Sequence, residues 1–300
     1  MNRENYYQTI EDTKTTPMEK DIPTYYFSSI QEAIASVDQI IETFKKNGVL
    51  VLKGHSYTTE EQVSLVKAVG DILNWNVCSD ANQETIDSSI YPGGHSEDET
   101  RPYNLTKDEY VLDWHIEQVY YLHPILAGIW NMTKFDTDKE NGNTRFVDSI
   151  ELFKSYSEEE QNFLIKSIVK WDKQSPLETG PYYTNVVDLH PVSGEPVLRV
   201  ETDQGCILYP ELYALDGKEA TEEQKIKFKD LQDRLKATLR NDESLRYSQK
   251  WEQGDLLFVD LFRMYHAVMG GYNFGERAFT GVGIRPKVYD YSLHKEPRLV

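Results

Sequence analysis

Two imidazoles and a carboxylate are the residues of this sequence best equipped for chemistry. His115 and Glu117 are separated by one residue, and His266 closes the segment Gly254-Asp-Leu-Leu-Phe-Val-Asp-Leu-Phe-Arg-Met-Tyr-His266. Such a set suffices to hold a divalent metal from one side and leave the opposite positions open, the arrangement of non-haem Fe(II) oxygenases. On a β-strand, residues two apart project to the same side. The flanks Tyr110-Val-Leu-Asp-Trp114 and Gln118-Val-Tyr-Tyr-Leu122 read as strand rather than helix. A His-x-Glu pair recurs by chance in many chains; Arg277, eleven residues past His266, sharpens it. A guanidinium fork matches a carboxylate in bidentate geometry. The run Arg277-Ala-Phe-Thr-Gly-Val-Gly-Ile-Arg285 reads as a strand with Arg277, Phe279, Gly281, Gly283 and Arg285 on one face, where two glycines leave room for a ligand.

The elements that must position these groups are legible in outline. Ile30, Ala33, Ile34, Val37, Ile41 and Phe44 recur at helical spacing over Ser29–Asn47, and Gly48 follows as a stop signal. Gly48–Gly54 reads as a buried strand, and Thr58 with Glu61 forms a capping box for a helix running toward Leu73. Ser157-Glu-Glu-Glu predicts a helix to about Lys170. Thr221-Glu-Glu-Gln predicts a longer one to Leu239, with Ile226, Phe228, Leu231, Leu235 and Leu239 as its apolar stripe. Short strands are expected at Ala127–Met132, Val197–Val200, Leu256–Val259 and Ala278–Ile284. Residues 1–24 are polar and read as an extension. Residues 25–300 read as a single α+β domain, an antiparallel double sheet with helices packed outside. Residues 77–108 are polar around Pro92-Gly93-Gly94 and read as an irregular loop, a candidate lid just ahead of His115.

Composition bounds the partners. Fifty acidic against 32 basic residues give a net charge of −18, a surface that repels phosphate backbones and argues against nucleic acid. No apolar run approaches the roughly 20 residues needed to cross a bilayer. The first residues lack the apolar core of a signal peptide. Two cysteines, Cys78 and Cys206, are too few for a disulfide scaffold. A cytoplasmic protein acting on a small molecule is expected; nothing in the sequence sets an oligomeric state.

From about Phe44 to Arg285 the chain resembles the taurine dioxygenase-like superfamily of Fe(II)/2-oxoglutarate-dependent oxygenases, which includes clavaminate synthase. The resemblance rests on Gly48-Val-Leu-Val-Leu-Lys-Gly54, Trp114-His-Ile-Glu117, Asn141-Gly-Asn-Thr144, His190-Pro-Val-Ser-Gly194, Gly254-Asp255, Asp260, His266 and Arg277. It implies a double-stranded β-helix (jelly-roll) core with flanking helices. It implies Fe(II) on His115, Glu117 and His266, and the far carboxylate of 2-oxoglutarate on Arg277 with help from Thr144. The reaction it implies consumes O2 and 2-oxoglutarate, releases succinate and CO2, and attacks an unactivated C–H bond. His190 is expected to shape a loop. Related halogenases lack the carboxylate, so Glu117 argues against halogenation. Glu in place of the commoner Asp resembles the branch of clavaminate synthase and the free-amino-acid hydroxylases, and points to an amino-acid-derived substrate.

One departure bears on that substrate. Taurine dioxygenase carries a second Arg four residues beyond the cosubstrate Arg, and here that position is Gly281. Taurine is therefore disfavoured, and an anionic substrate group must be held elsewhere, with Arg101, Arg145, Arg263 and Arg285 as candidates. Asp113 and Tyr120 are candidates for an amine. Two other classes compete: a catalytically inactive jelly-roll binding or structural module, and a cupin-type metal-dependent isomerase needing no 2-oxoglutarate. The complete ligand set argues against the first, Arg277 and Thr144 against the second.

Overall fold

The computed structural model describes residues 19–78, 90–93, 104–119, 124–171, 182–200, 211–214 and 218–286. In chain order these form β1 (Thr24–Tyr26), α1 (Ile30–Ala35), α2 (Val37–Asn47), β2 (Val49–Lys53), α3 (Thr59–Leu73), β3 (Trp75–Cys78), β4 (Ile90–Gly93), β5 (Tyr110–His115), β6 (Ala127–Phe135) and β7 (Thr144–Asp148). There follow α4 (Ser149–Ser155), α5 (Glu158–Ile165), β8 (Ser167–Trp171), β9 (Tyr182–Asn185), β10 (Val187–Leu189), β11 (Pro196–Leu198) and β12 (Glu211–Ala214). The chain continues through α6 (Glu222–Asn241), β13 (Arg246–Gln249), β14 (Leu256–Asp260), β15 (Met264–Met269) and β16 (Arg277–Pro286).

A large sheet in the order β1-β2-β14-β6-β16-β3, with β4 also on β16, lies against a smaller one in the order β13-β7-β15-β5. Alternation explains why the central strands are apolar throughout. In β2, Leu50 and Leu52 pack on α1, α2 and α3, while Val49 and Val51 enter the space between the sheets. In β14, Leu256 and Phe258 face the helices, and Leu257 and Val259 face inward. A strand covered on both sides has no polar face to alternate with. The outer face of the smaller sheet is covered by α6, whose Phe228, Leu231, Leu235 and Leu239 pack against Val147, Tyr265 and Ala267. Each such side chain contributes about 1.5–3 kcal/mol when fully buried. This is the expected jelly-roll core with flanking helices.

Several local expectations change. The segment Ser29–Asn47 is two helices, because Ser36 leaves the helical region (φ −103°, ψ 11°). The break lets Ile30 and Ala33 of α1 and Ile40, Ile41 and Phe44 of α2 all reach the sheet, and leaves Ile34 exposed. Gly48 caps α2 at φ +70°, where a Cβ would sit 2.7 Å from Nε of Arg263. The Thr58–Glu61 capping box of α3 is present. The box at Ser157 and Glu160 also forms, but α5 stops at Ile165, and Ser167–Trp171 is a strand between β9 and β12. β-branched and aromatic residues there prefer the pleat. On α6, Ile226 is exposed and lies off the buried stripe.

The stretch 77–108 is more regular than expected at its centre. β4 pairs with β16 from Phe279↔Gly93 to Val282↔Ile90, beyond the reach of β3, which covers only Gly283 to Pro286. Edge backbone needs partners, and two short strands supply them from Phe279 to Pro286. Residues 79–89 and 94–103, including Arg101, lie outside the described residues. At the start of the described chain, the N–H of Lys20 donates to the carbonyl of Arg246, so residues just ahead of β1 lie along β13.

Candidate metal centre

His115 and His266 are direct partners across the β5–β15 ladder, with ring centroids 4.0 Å apart. Both are buried between the sheets. Glu117 is not on that ladder: β5 ends at His115, and residues 117–119 form a turn in which Gln118 has φ +53°. The expected strand through Gln118 therefore stops two residues before Glu117. A strand could not run on through Gln118 in any case, since a left-handed residue does not continue a pleat. The turn still carries the carboxylate back over the imidazoles. Glu117 Oε1 lies 3.5 Å from Nε2 of His115 and 3.7 Å from Nε2 of His266. The three donor atoms lie within 4.8 Å of one another, a group that could hold a metal ion.

The protonation pattern suits a metal. Nδ1 of His115 lies 2.8 Å from the carbonyl of Asp113, and Nδ1 of His266 lies 3.3 Å from that of Met264. Those carbonyls accept the ring protons, which leaves the Nε2 lone pairs toward Glu117. Burial, with His115 alongside, pushes the His266 pKa down to about 3, so its imidazole stays neutral. Burial disfavours charge on Glu117, but its contacts with His115 and, more weakly, with His266 outweigh that and hold its carboxyl below the usual range. Two imidazole nitrogens and a carboxylate fit a divalent cation.

A second constellation lies on the same interior face. Arg277 opens β16, is buried, and donates through Nη2 to Thr144 Oγ1 at 3.1 Å. The same hydroxyl accepts from the indole of Trp251 at 2.9 Å. Trp251, Tyr272 and Phe279 surround the guanidinium at 5.6–5.7 Å from their ring centres. Gly142 explains the close approach of the preceding loop: it has φ +60°, and a Cβ there would lie 3.1 Å from Tyr272 and 3.4 Å from Arg277 Cδ. Between this end and the imidazoles stand Trp130, 5.6 Å from the His266 ring, and Phe146, 6.2 Å from it. The expected alternation of β16 holds, since Phe279 packs inward on Trp130 while Val282 and Ile284 face the helices. The result is an aromatic-lined stretch of interior with a buried cation at one end and the three donors at the other.

The remaining candidates separate. Arg263 is a structural residue: it is buried, pairs with Asp148 at 2.8 Å, and donates to the carbonyls of Lys45 and Lys46 at the end of α2. Its place three residues before His266 puts it on the turn behind the site. Arg145 follows Thr144 on β7, and alternation turns it to the outer face, the one Val147 shares with α6. Asp113 is an ion-pair partner of Arg240 at the end of α6, and its carbonyl orients His115. Arg263 and Asp113 are engaged by these partners, and Arg145 lies on the opposite face of β7 from Thr144. Arg285 stays beside the centre, with Nη2 3.4 Å from Oε1 of Gln118, next to Glu117. Tyr120, like Arg101, lies outside the described residues. His190 closes its turn by accepting from the N–H groups of Val192 and Ser193, and Nε2 meets Asp260 at 2.9 Å. Trp251, Tyr272 and Trp130 were not singled out from the sequence. Trp251, three residues before Gly254-Asp255, had a signal in its position, but solitary aromatics otherwise read as core.

A double-sheet jelly roll with an inward-facing His/Glu/His group and a buried arginine defines a non-haem metal oxygenase class. The chain belongs to the taurine catabolism dioxygenase TauD, TfdA family, whose model matches residues 11–282. The Fe(II), 2-oxoglutarate and O2 expected from the sequence are the cofactor set of that class, and the His/Glu/His group fits the metal. Among solved structures, a taurine dioxygenase from Burkholderia xenovorans is 16% identical, with a TM-score of 0.61 over 84% of this chain and 82% of its own. PvcB, described as an Fe, α-ketoglutarate dependent oxygenase from an isonitrile synthetic pathway, is 12% identical, with a TM-score of 0.56 over 84% and 82%. AAD-2, solved with Mn(II) and N-oxalylglycine, is 15% identical, with a TM-score of 0.55 over 84% and 87%. Among curated proteins no relative matches at comparable significance. No helix among the described residues is long and apolar enough to cross a membrane.

Proposed function

We propose that residues 25–300 form one oxygenase domain that uses Fe(II), 2-oxoglutarate and O2 to oxidise an unactivated C–H bond of a small, amino-acid-derived substrate. His115, Glu117 and His266 are the metal ligands, and Arg277 with Thr144 takes the far carboxylate of 2-oxoglutarate. The observation that carries the reading is their common address: both constellations lie on the interior face, with the rings of Trp130 and Phe146 between them. The similarity to PvcB, an Fe, α-ketoglutarate dependent oxygenase, and to AAD-2, solved with Mn(II), supports it.

The bound metal supplies the oxidising chemistry, in which 2-oxoglutarate, O2 and C–H become succinate, CO2 and C–OH. The chain's own residues bind, orient and exclude water. The two imidazoles present their nitrogens from fixed strands, and Glu117 offsets part of the cation's charge. Arg277 forms a charge-assisted pair with a carboxylate in an aromatic box, where water cannot compete. Aromatic rings along this stretch of interior keep the reacting region dry. Arg285, beside Gln118, is the described arginine placed to meet an anionic group of the substrate at the metal end. Hydroxylation, desaturation and ring closure differ by ångström-scale placement of the substrate carbon. The net charge of −18 argues against nucleic acid, and a cytoplasmic setting accords with the cysteine content.

Succinate release, measured with Fe(II), O2 and 2-oxoglutarate across an amino-acid panel, tests the reading. Turnover stimulated by one panel class supports it. Absence of succinate under every condition, including slow turnover without substrate, sinks it in favour of a binding module or an isomerase.

A further inference from the structure

We propose that Arg199 is a positioning residue for the metal centre, acting through the main chain of Glu117; this rests on the ligand reading above. Arg199 is 4% exposed and follows β11. Its guanidinium donates through Nη2 to the carbonyl of Glu117 at 3.4 Å and through Nη1 to the carbonyl of Phe262. Phe262 lies in the turn that feeds β15, and the carbonyl of Met264, two residues on, orients the His266 ring. One planar cation therefore joins the peptide of the carboxylate ligand to the turn leading into the distal histidine. Two carbonyls at a fixed separation require a fork, which lysine lacks.

Arg199 is itself held firmly. Its N–H donates to the carbonyl of Val186 at 2.8 Å, and its guanidinium carbon lies 3.9 Å over the Phe262 ring. The His190 ring meets Phe262 edge-on at 5.7 Å and is anchored to Asp260. The next residue, Val200, is clamped at both its N–H and its carbonyl by the hydroxyl of Tyr265, the immediate neighbour of His266. Arg199 thus projects from a segment locked to the distal histidine's strand and touches the one ligand segment that no ladder supports. Functional donors must be held to within about 0.5 Å of their working positions. In the turn at Gln118 the Arg199 contact is one of the ties on the Glu117 peptide, beside the Ile125 N–H on Gln118 Oε1.

The test replaces Arg199 with Met, which keeps length and apolar volume, and with Lys, and titrates each anaerobically with Fe(II) and with Co(II), whose absorption reports on coordination. Unfolding of the metal-free proteins is followed in parallel. Arg199→Met is expected to weaken metal affinity roughly tenfold to a hundredfold, the cost of losing a residue that orients a ligand. Arg199→Lys should fall between it and wild type. In a Glu117→Ala background Arg199→Met should cause no further loss, because the ligand it acts through is gone. Unchanged affinity in a folded Arg199→Met protein, or an equal loss in the Glu117→Ala background, overturns the proposal. Should Arg199→Met fail to fold, Arg199→Lys carries the same comparison. Unchanged affinity in Glu117→Ala alone would instead overturn the ligand reading.

Discussion

The two imidazoles and the carboxylate of the metal centre are held by different kinds of structure. His115 and His266 face each other on neighbouring strands, and His266 is also flanked by β7 through its pairing with Phe146. Moving either ring would mean shifting strand register, which in a sheet buried on both sides would turn apolar side chains the wrong way. Glu117 has no such support. It depends on Gln118 at φ +53°, on the Gln118 Oε1 that accepts from the N–H of Ile125 at 2.8 Å, and on the Arg199 tie to its carbonyl. Sheet register fixes the nitrogen donors cooperatively, whereas the oxygen donor is fixed by a few local contacts. The turn is therefore the part of the site whose geometry single side chains can tune.

The largest effect that would sharpen this contrast comes from the sheet-borne half. His266→Ala should leave a folded protein, since the β15 ladder is made by backbone, yet Fe(II) affinity should drop by more than the roughly hundredfold upper limit for losing an orienting residue. Anaerobic iron titration checks this, and an unchanged affinity would break the triad. Arg277→Lys comes next. Ammonium cannot reproduce the fork, and losing a buried charge-assisted pair costs on the order of 2–5 kcal/mol. Apparent affinity for 2-oxoglutarate should fall by about tenfold to a thousandfold or more, with metal affinity retained. Wild-type dependence on 2-oxoglutarate would place the cosubstrate elsewhere.

Gln118→Ala probes the turn-borne half. It strips the buried N–H of Ile125 of its acceptor, at a cost of about 1–3 kcal/mol in unfolding free energy. Metal affinity should weaken with it, although neither imidazole is touched. A variant with lower stability but unaltered metal affinity would show that the turn does not need this contact. The smallest effect lies far from the centre. The hydrogen bond from Arg234 and the N-cap Ser157 outweigh burial and hold Glu160 down at about 2. Because the folded value lies below the unfolded one, the pair stabilises the fold above the unfolded carboxyl's pKa and loses that contribution as pH falls from about 4.5 toward 2. For a solvent-facing pair this amounts to less than about 1 kcal/mol. Glu160→Gln should flatten the acid limb of stability against pH and leave iron titration at neutral pH unchanged.

The buried strands at Gly48–Gly54 and Leu256–Val259, the capping box at Thr58, the helix starts at Ser157 and Thr221, and the types of the metal-ligating residues were legible in the chain, because they depend on local spacing and residue chemistry. Strand alternation also anticipated that Arg277 and Phe279 share a face. The end of α5 was not legible, because helix capping at Ser157 says nothing about the sheet partners that claim Ser167–Trp171. The arginines divide in the same way. Arg263 and Arg145 looked alike as candidates, yet one is consumed by Asp148 and the end of α2, and the other lies on the opposite face of β7 from Thr144. A guanidinium's role follows from which acceptors surround it, and those acceptors come from segments up to 218 residues away.

By itself, then, the sequence determined which atoms could bind a metal and a carboxylate, and that strands would carry most of them. That follows from side-chain chemistry and a two-residue period. Only the tertiary structure decided that Glu117 leaves the strand, that Trp251 and Tyr272 box Arg277, and that Arg199 reaches the carboxylate's peptide. Each of those depends on contacts between distant segments, which exist only once both sheets have closed over the same interior.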